Sequence, residues 1–113
     1  FFIADALGNS VVVEYISGEM KVISSEESFQ VVTNFYLSDK ERPGKGKERY
    51  NTAYNMLSSN KSNIDEIAAM DILRAVKEDS TVYSIIYNQG TGNVYLAYNG
   101  NYNSVYKFNI KLK

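Results

Sequence analysis

At 113 residues with 44% hydrophobic content, the chain has enough apolar surface for one core and too little for independent ones, so a single domain over 1–113 is expected. The 12 basic and 13 acidic residues nearly cancel, which removes any general attraction to nucleic acid, anionic lipid or polyanions. Cysteine and histidine are both absent, excluding from these residues a disulfide framework, a thiolate nucleophile, sulfur-based zinc and the Ser-His-Asp and Cys-His triads. Only carboxylates remain as metal ligands, no metal or cofactor is expected, and any covalent chemistry needs a nucleophile from elsewhere.

The chain enters on Phe1-Phe2-Ile3-Ala4, an apolar run too short for a membrane span or a signal-peptide core. It reads as a strand cut at its start, the mark of a fragment, and no membrane partner is expected. Turn residues Leu7-Gly8-Asn9 and Ser17-Gly18-Glu19 separate this run from Val11–Ile16 and Met20–Ile23, a β-meander. A further short strand is expected over Phe29–Thr33. The stretch Leu37–Lys47 carries the only proline, Pro43, with Gly44, Gly46 and mixed charges, and predicts an exposed loop.

Tyr50, Ala53, Tyr54 and Leu57 fall at helical spacing on one face of a helix over about Lys47–Ser58, with Arg49 in its first turn. A second helix is expected after Ser62 and Asn63, which with Glu66 approach a capping box. Its apolar side is Ala68, Ala69, Ile72, Leu73 and Val76, and its polar side Asp71, Arg74, Lys77 and Glu78. Strands return at Thr81–Tyr87, Asn93–Tyr98 and Ser104–Leu112, separated by turns at 88–92 and 99–101. The first two carry apolar residues on both faces; the last alternates Tyr106, Phe108, Ile110 and Leu112 with polar residues, as a half-exposed edge strand does. The order predicts an α+β domain of antiparallel sheet with two helices packed on it.

Four segments in order resemble the linear amide C–N hydrolases, that is, the choloylglycine hydrolase and penicillin V acylase family, together with the related penicillin-biosynthetic acyltransferases. Asp5-Ala6-Leu7-Gly8-Asn9-Ser10-Val11-Val12-Val13-Glu14 is similar to their D-x-x-G-N-S-x-V-I-E hairpin. Val31-Val32-Thr33-Asn34-Phe35-Tyr36-Leu37 is similar to V-x-T-N-x-x-L, Gly46-Lys47-Glu48-Arg49-Tyr50 to G-x-x-R-Y, and Thr81–Asn88 to the final T-x-W-S-x-V-Y-D.

The resemblance implies the later half of an N-terminal-nucleophile (Ntn) αββα sandwich. The other half, remaining outside this chain, would bring the cysteine nucleophile. It further implies a small-molecule acyl amide substrate, an inactive fragment, and a parent protein compatible with homo-oligomers. Compartment is left open, since a secretion signal, if the parent has one, would belong to the part outside this chain.

By the same resemblance Asn34 and Arg49 are catalytic. Asn34 lends an uncharged amide donor to the oxyanion hole, where one donor contributes about 100- to 1000-fold in rate. Arg49 is a permanent cation directed at the nucleophile region. Phe35 and Tyr36 would line the acyl pocket. Read without the resemblance, Asn34 is a turn asparagine, Phe35 and Tyr36 are core aromatics, and Arg49 is a solvated arginine placed unfavourably against the helix dipole. The Asn34 to Arg49 interval is nearer the acyltransferase-like branch than the longer loop of bile salt hydrolases. Asp5 and Glu14 read as structural, a turn acid and an exposed strand residue.

Two other readings stand beside this one. The first is a non-catalytic carbohydrate-binding module, which needs several of Tyr95, Tyr98, Tyr102 and Tyr106 exposed in one plane. The second is a degenerate relative that keeps the fold without the chemistry.

Overall fold

The computed structural model describes residues 1–39, 44–60 and 64–111. The fold is α+β, with two three-stranded antiparallel sheets and two helices. The chain gathers into two compact units, Phe1–Asn55 and Met56–Lys113. Among the described residues no helix is long and apolar enough to cross a membrane.

The first unit opens with β1 (Phe2–Ala4), β2 (Ser10–Ile16) and β3 (Glu19–Ser24), paired in the order β1-β2-β3. Asp5 makes the first turn, its Oδ1 accepting from the Leu7 and Asn9 N–H groups at 2.9 Å each. Asn9 Nδ2 also donates to Asp5 Oδ2 at 2.8 Å, so Asp5 is the turn acid that its position predicts. The second turn needs only Ser17 and Gly18, at φ 53° and 84°. Positive φ at both central positions gives the twist of a tight hairpin, and Gly18 adopts it without steric cost.

Phe29–Thr33 is not a strand: it joins no described ladder, and side chains anchor it instead. Gln30 Nε2 donates to the Ile23 carbonyl at 2.9 Å, and Thr33 Oγ1 to the Gly46 carbonyl at 3.0 Å. Helix α1 (Lys47–Ser59) then runs close to its expected length, with Ala53 buried as its spacing predicts. Tyr50 and Tyr54 stack at 6.0 Å, and each meets an aromatic ring of the preceding segment edge-on. Phe35 lies 5.2 Å from Tyr50, and Phe29 lies 5.3 Å from Tyr54. Pro43 lies outside the described residues.

In the second unit α2 (Glu66–Ala75) starts at Asp65, whose side chain accepts from the Ala68 N–H at 2.8 Å. Ser62 and Asn63, the expected caps, lie outside the described residues. The buried positions of α2 are Met70 and Ile72, so the inward stripe includes a methionine that the periodic reading left out.

Strands β4 (Tyr83–Asn88), β5 (Asn93–Tyr98) and β6 (Val105–Asn109) follow in the order β4-β5-β6. Met70, Ala97 and Tyr102 form the core, with Leu73, Ile86 and Tyr95 packed against them. Inside it, Ser84 Oγ and the Tyr102 hydroxyl share a buried hydrogen bond of 2.8 Å. β6 lies at the sheet edge as its alternation predicts, but it is exposed on both faces rather than one. Leu112 lies outside the described residues.

Candidate functional site

In the first unit β2 and the segment after Val31 enclose a concavity of about 530 Å³. Its floor comes from Val12 to Tyr15, and its wall from Val32 to Tyr36. Asn34, Phe35 and Tyr36 therefore line one space. Arg49 reaches them from the first turn of α1: its Nη2 donates to Asn34 Oδ1 at 2.5 Å.

That bond fixes the asparagine. A guanidinium has only donors, so the amide atom facing it must be oxygen and the NH₂ must lie on the other side. Nδ2 of Asn34 has no hydrogen-bond partner among the described residues, and the side chain is exposed. Arg49 thus engages Asn34 directly and is not itself part of the cavity lining. The aromatic pair divides its roles. Phe35 is half-buried, packed on Tyr50, and sits beneath the Lys47 ammonium, whose Nζ is 5.0 Å from the ring centroid. Tyr36 is exposed along the cavity wall.

The main residue missed by the sequence reading is Glu14. It is 7% exposed, not the exposed strand residue its polarity suggested. Its Oε1 accepts from the Leu37 N–H at 2.6 Å, while Oε2 accepts from the Ser38 N–H at 3.0 Å and the Ser38 hydroxyl at 2.5 Å. Burial pushes its carboxyl up, but the Ser38 hydroxyl and the Leu37 and Ser38 N–H groups outweigh burial and hold it below the usual value. One carboxylate therefore clamps the chain immediately after Tyr36. The available signal was an acid flanked by apolar residues on both sides, Val11 to Val13 and Tyr15-Ile16.

The expected exposed loop is also drawn in at its described ends. A Cβ on Gly44 would sit 2.5 Å from the Asn34 carbonyl oxygen and 2.7 Å from Phe35 Cβ. Gly46, at φ +105°, would bring its Cβ to 3.0 Å from the Asn34 nitrogen and 3.1 Å from an Arg49 nitrogen. Gly44 excludes a side chain because it packs onto the backbone that carries Asn34, and Gly46 disfavours one through its positive φ and its tight approach to the same backbone. The glycine of the G-x-x-R-Y segment thus has a physical function at this site.

Among the described residues no group of three or more acidic side chains is arranged to hold a metal ion. Of the tyrosines of the carbohydrate-binding reading, Tyr98 and Tyr106 are exposed on one side of the β4-β5-β6 sheet, while Tyr95 faces the α2 core and Tyr102 is buried. Comparison with protein-family models, with curated proteins and with solved structures gave no match.

Proposed function

We propose that this chain is the portion of a linear amide C–N hydrolase that supplies the oxyanion donor and the wall of the acyl pocket, with a cysteine nucleophile brought by another segment. The observation that carries the reading is the Arg49 to Asn34 hydrogen bond, which turns an amide NH₂ away from the guanidinium beside a partly apolar concavity. The separately matched V-x-T-N and G-x-x-R-Y segments meet at that bond.

In the proposed reaction a thiolate adds to the amide carbonyl, and the oxygen takes the negative charge while accepting from Asn34 Nδ2. Collapse breaks the C–N bond, and the leaving amine takes the proton that the cysteine's own α-amine had accepted from the thiol; water then gives that α-amine a proton as it attacks the thioester, releasing the acid and the thiolate. Arg49 holds the asparagine oxygen, so the donor is oriented before charge develops. Glu14, through Leu37 and Ser38, keeps the wall against β2.

Intact-mass measurement tests this with a glycine-conjugated bile acid and penicillin V as probes. The chain alone should gain no acyl mass. Co-expressed with the upstream part of its reading frame, the cysteine of that part should be acylated, and Asn34→Ala should slow acylation about 100-fold or more. An acyl adduct on the chain alone, or full-rate acylation by the Asn34→Ala protein, sinks the reading.

A further inference from the structure

The chain holds 12 asparagines, and only Asn99 is followed by a glycine. That pair forms the tip of the β5–β6 hairpin. Asn99 and Gly100 both take positive φ, 51° and 70°, and the Asn101 N–H donates to the Tyr98 carbonyl at 3.0 Å, which closes a two-residue turn. Asparagine tolerates the left-handed region better than most residues, and glycine enters it without steric cost.

The tip leaves two groups uncommitted that can react with each other. Among the described residues the Asn99 side chain is exposed without a hydrogen-bond partner, and no acceptor takes the Gly100 N–H. A Cβ at Gly100 would meet nothing within 4 Å, so the tip stands clear of its surroundings. Asn9, Asn34, Asn60, Asn88, Asn101 and Asn109 all use their side-chain amides in hydrogen bonds. Asn103 is the comparison within the same loop: exposed and without a side-chain partner, but followed by Ser104.

We propose that Asn99 is a modification site that converts spontaneously to aspartate and isoaspartate. The Gly100 nitrogen attacks Cγ of Asn99 and gives its proton to solvent base, the Cγ–Nδ2 bond breaks, and ammonia leaves. Water then opens the five-membered imide. Opening at Cγ leaves an aspartate, whereas opening at the backbone carbonyl leaves an isoaspartyl link in which the chain runs through Cβ and Cγ. The sum is one amide and one water giving one carboxylic acid and ammonia. Glycine favours the closure because a Cβ on the attacking residue would crowd it.

The two products act differently on the fold. Each adds a negative charge, but only the isoaspartyl link lengthens the backbone. The added atom falls in a turn of two residues, where the Tyr98–Asn101 bond and the β5–β6 register depend on turn length. Tyr102 lies just beyond, buried, with its hydroxyl bonded to Ser84 at 2.8 Å, so the disturbance reaches the core of this unit. The site is independent of the chemistry proposed for the first unit.

Peptide mapping of the 113-residue chain held at mildly alkaline pH is the test, with isoaspartate read as methyl uptake from a protein-isoaspartyl methyltransferase. The Asn99 peptide should convert about tenfold or more faster than the Asn103 peptide, releasing ammonia in step. Asn99→Ser removes the carbonyl under attack and should abolish methyl uptake; serine already occupies the matching position of the other tight turn, Ser17 at φ 53°. Should that variant fail to fold, Gly100→Ala takes its place, with conversion slowed about tenfold. Amide exchange at Asn101 should rise in the isoaspartyl chain and not in Asn99→Ser. An Asn99 peptide that stays intact for as long as the urea-unfolded chain takes to convert, equal conversion at Asn103, methyl uptake that persists in Asn99→Ser, or unchanged Asn101 exchange in the isoaspartyl chain overturns the proposal.

Discussion

The two units hold their chain by different means. In Phe1–Asn55 the described residues between β3 and α1 join no ladder and are tied down by polar side chains: Glu14 to Leu37 and Ser38, Thr33 to Gly46, Arg49 to Asn34. In Met56–Lys113 an amphipathic helix covers one face of a sheet through Met70, Leu73, Ile86, Tyr95, Ala97 and Tyr102. Hydrogen bonds specify direction and register, whereas apolar burial specifies volume. The Asn34 amide, which the proposed function requires to be aimed, lies in the polar-tethered unit.

The contrast predicts different sensitivities, and the largest should be to lost volume in the second unit. Met70→Ala should cost about 2–5 kcal/mol in urea unfolding, with amide exchange in β4 and β5 accelerating most. A cost below about 1 kcal/mol would show that α2 does not carry this unit.

Glu14→Ala should come next, at about 2–3 kcal/mol, because it strands N–H donors in a half-buried segment. Its pH dependence has a definite sign. The folded carboxyl lies below the ordinary value of 4.5, so the tie is fully present above that pH and is lost as pH falls through the lowered folded value. The Leu37 and Ser38 amide resonances should report this transition in wild type and lose it in Glu14→Gln.

Gly46→Ala should cost about 1–3 kcal/mol, through the positive φ and the contact with the Asn34 backbone, again read by urea unfolding. Asp65→Ala removes the cap of α2 and should cost about 1 kcal/mol. Arg49→Gln should change stability least, within about 0.5 kcal/mol, yet alter the Asn34 side-chain amide resonances by releasing its oxygen. Unchanged Asn34 resonances would remove Arg49 from the site.

Most elements were legible because their signals are local. Alternation and turn residues place β1, β2 and β3 within a residue or two of where they lie, and the Tyr50, Ala53, Tyr54, Leu57 spacing places α1. Phe29–Thr33 has the composition of a strand but no described partner, and a strand exists only through its neighbour's backbone groups. Met70 was missed because a helical stripe has soft edges, and the surface it meets decides which flanking position turns inward.

Of the candidate site, the sequence by itself determined the residue types: an asparagine after an apolar run, an arginine in a first helical turn, and small residues ahead of that helix. Only the tertiary structure decided that Arg49 grips the oxygen of Asn34, that Glu14 is buried beneath Leu37 and Ser38, and that Gly44 leaves no room for a side chain and Gly46 little. The reason is physical. Periodicity encodes which face of an element is apolar, while hydrogen bonds spanning 15 or 23 residues depend on where the folded chain returns.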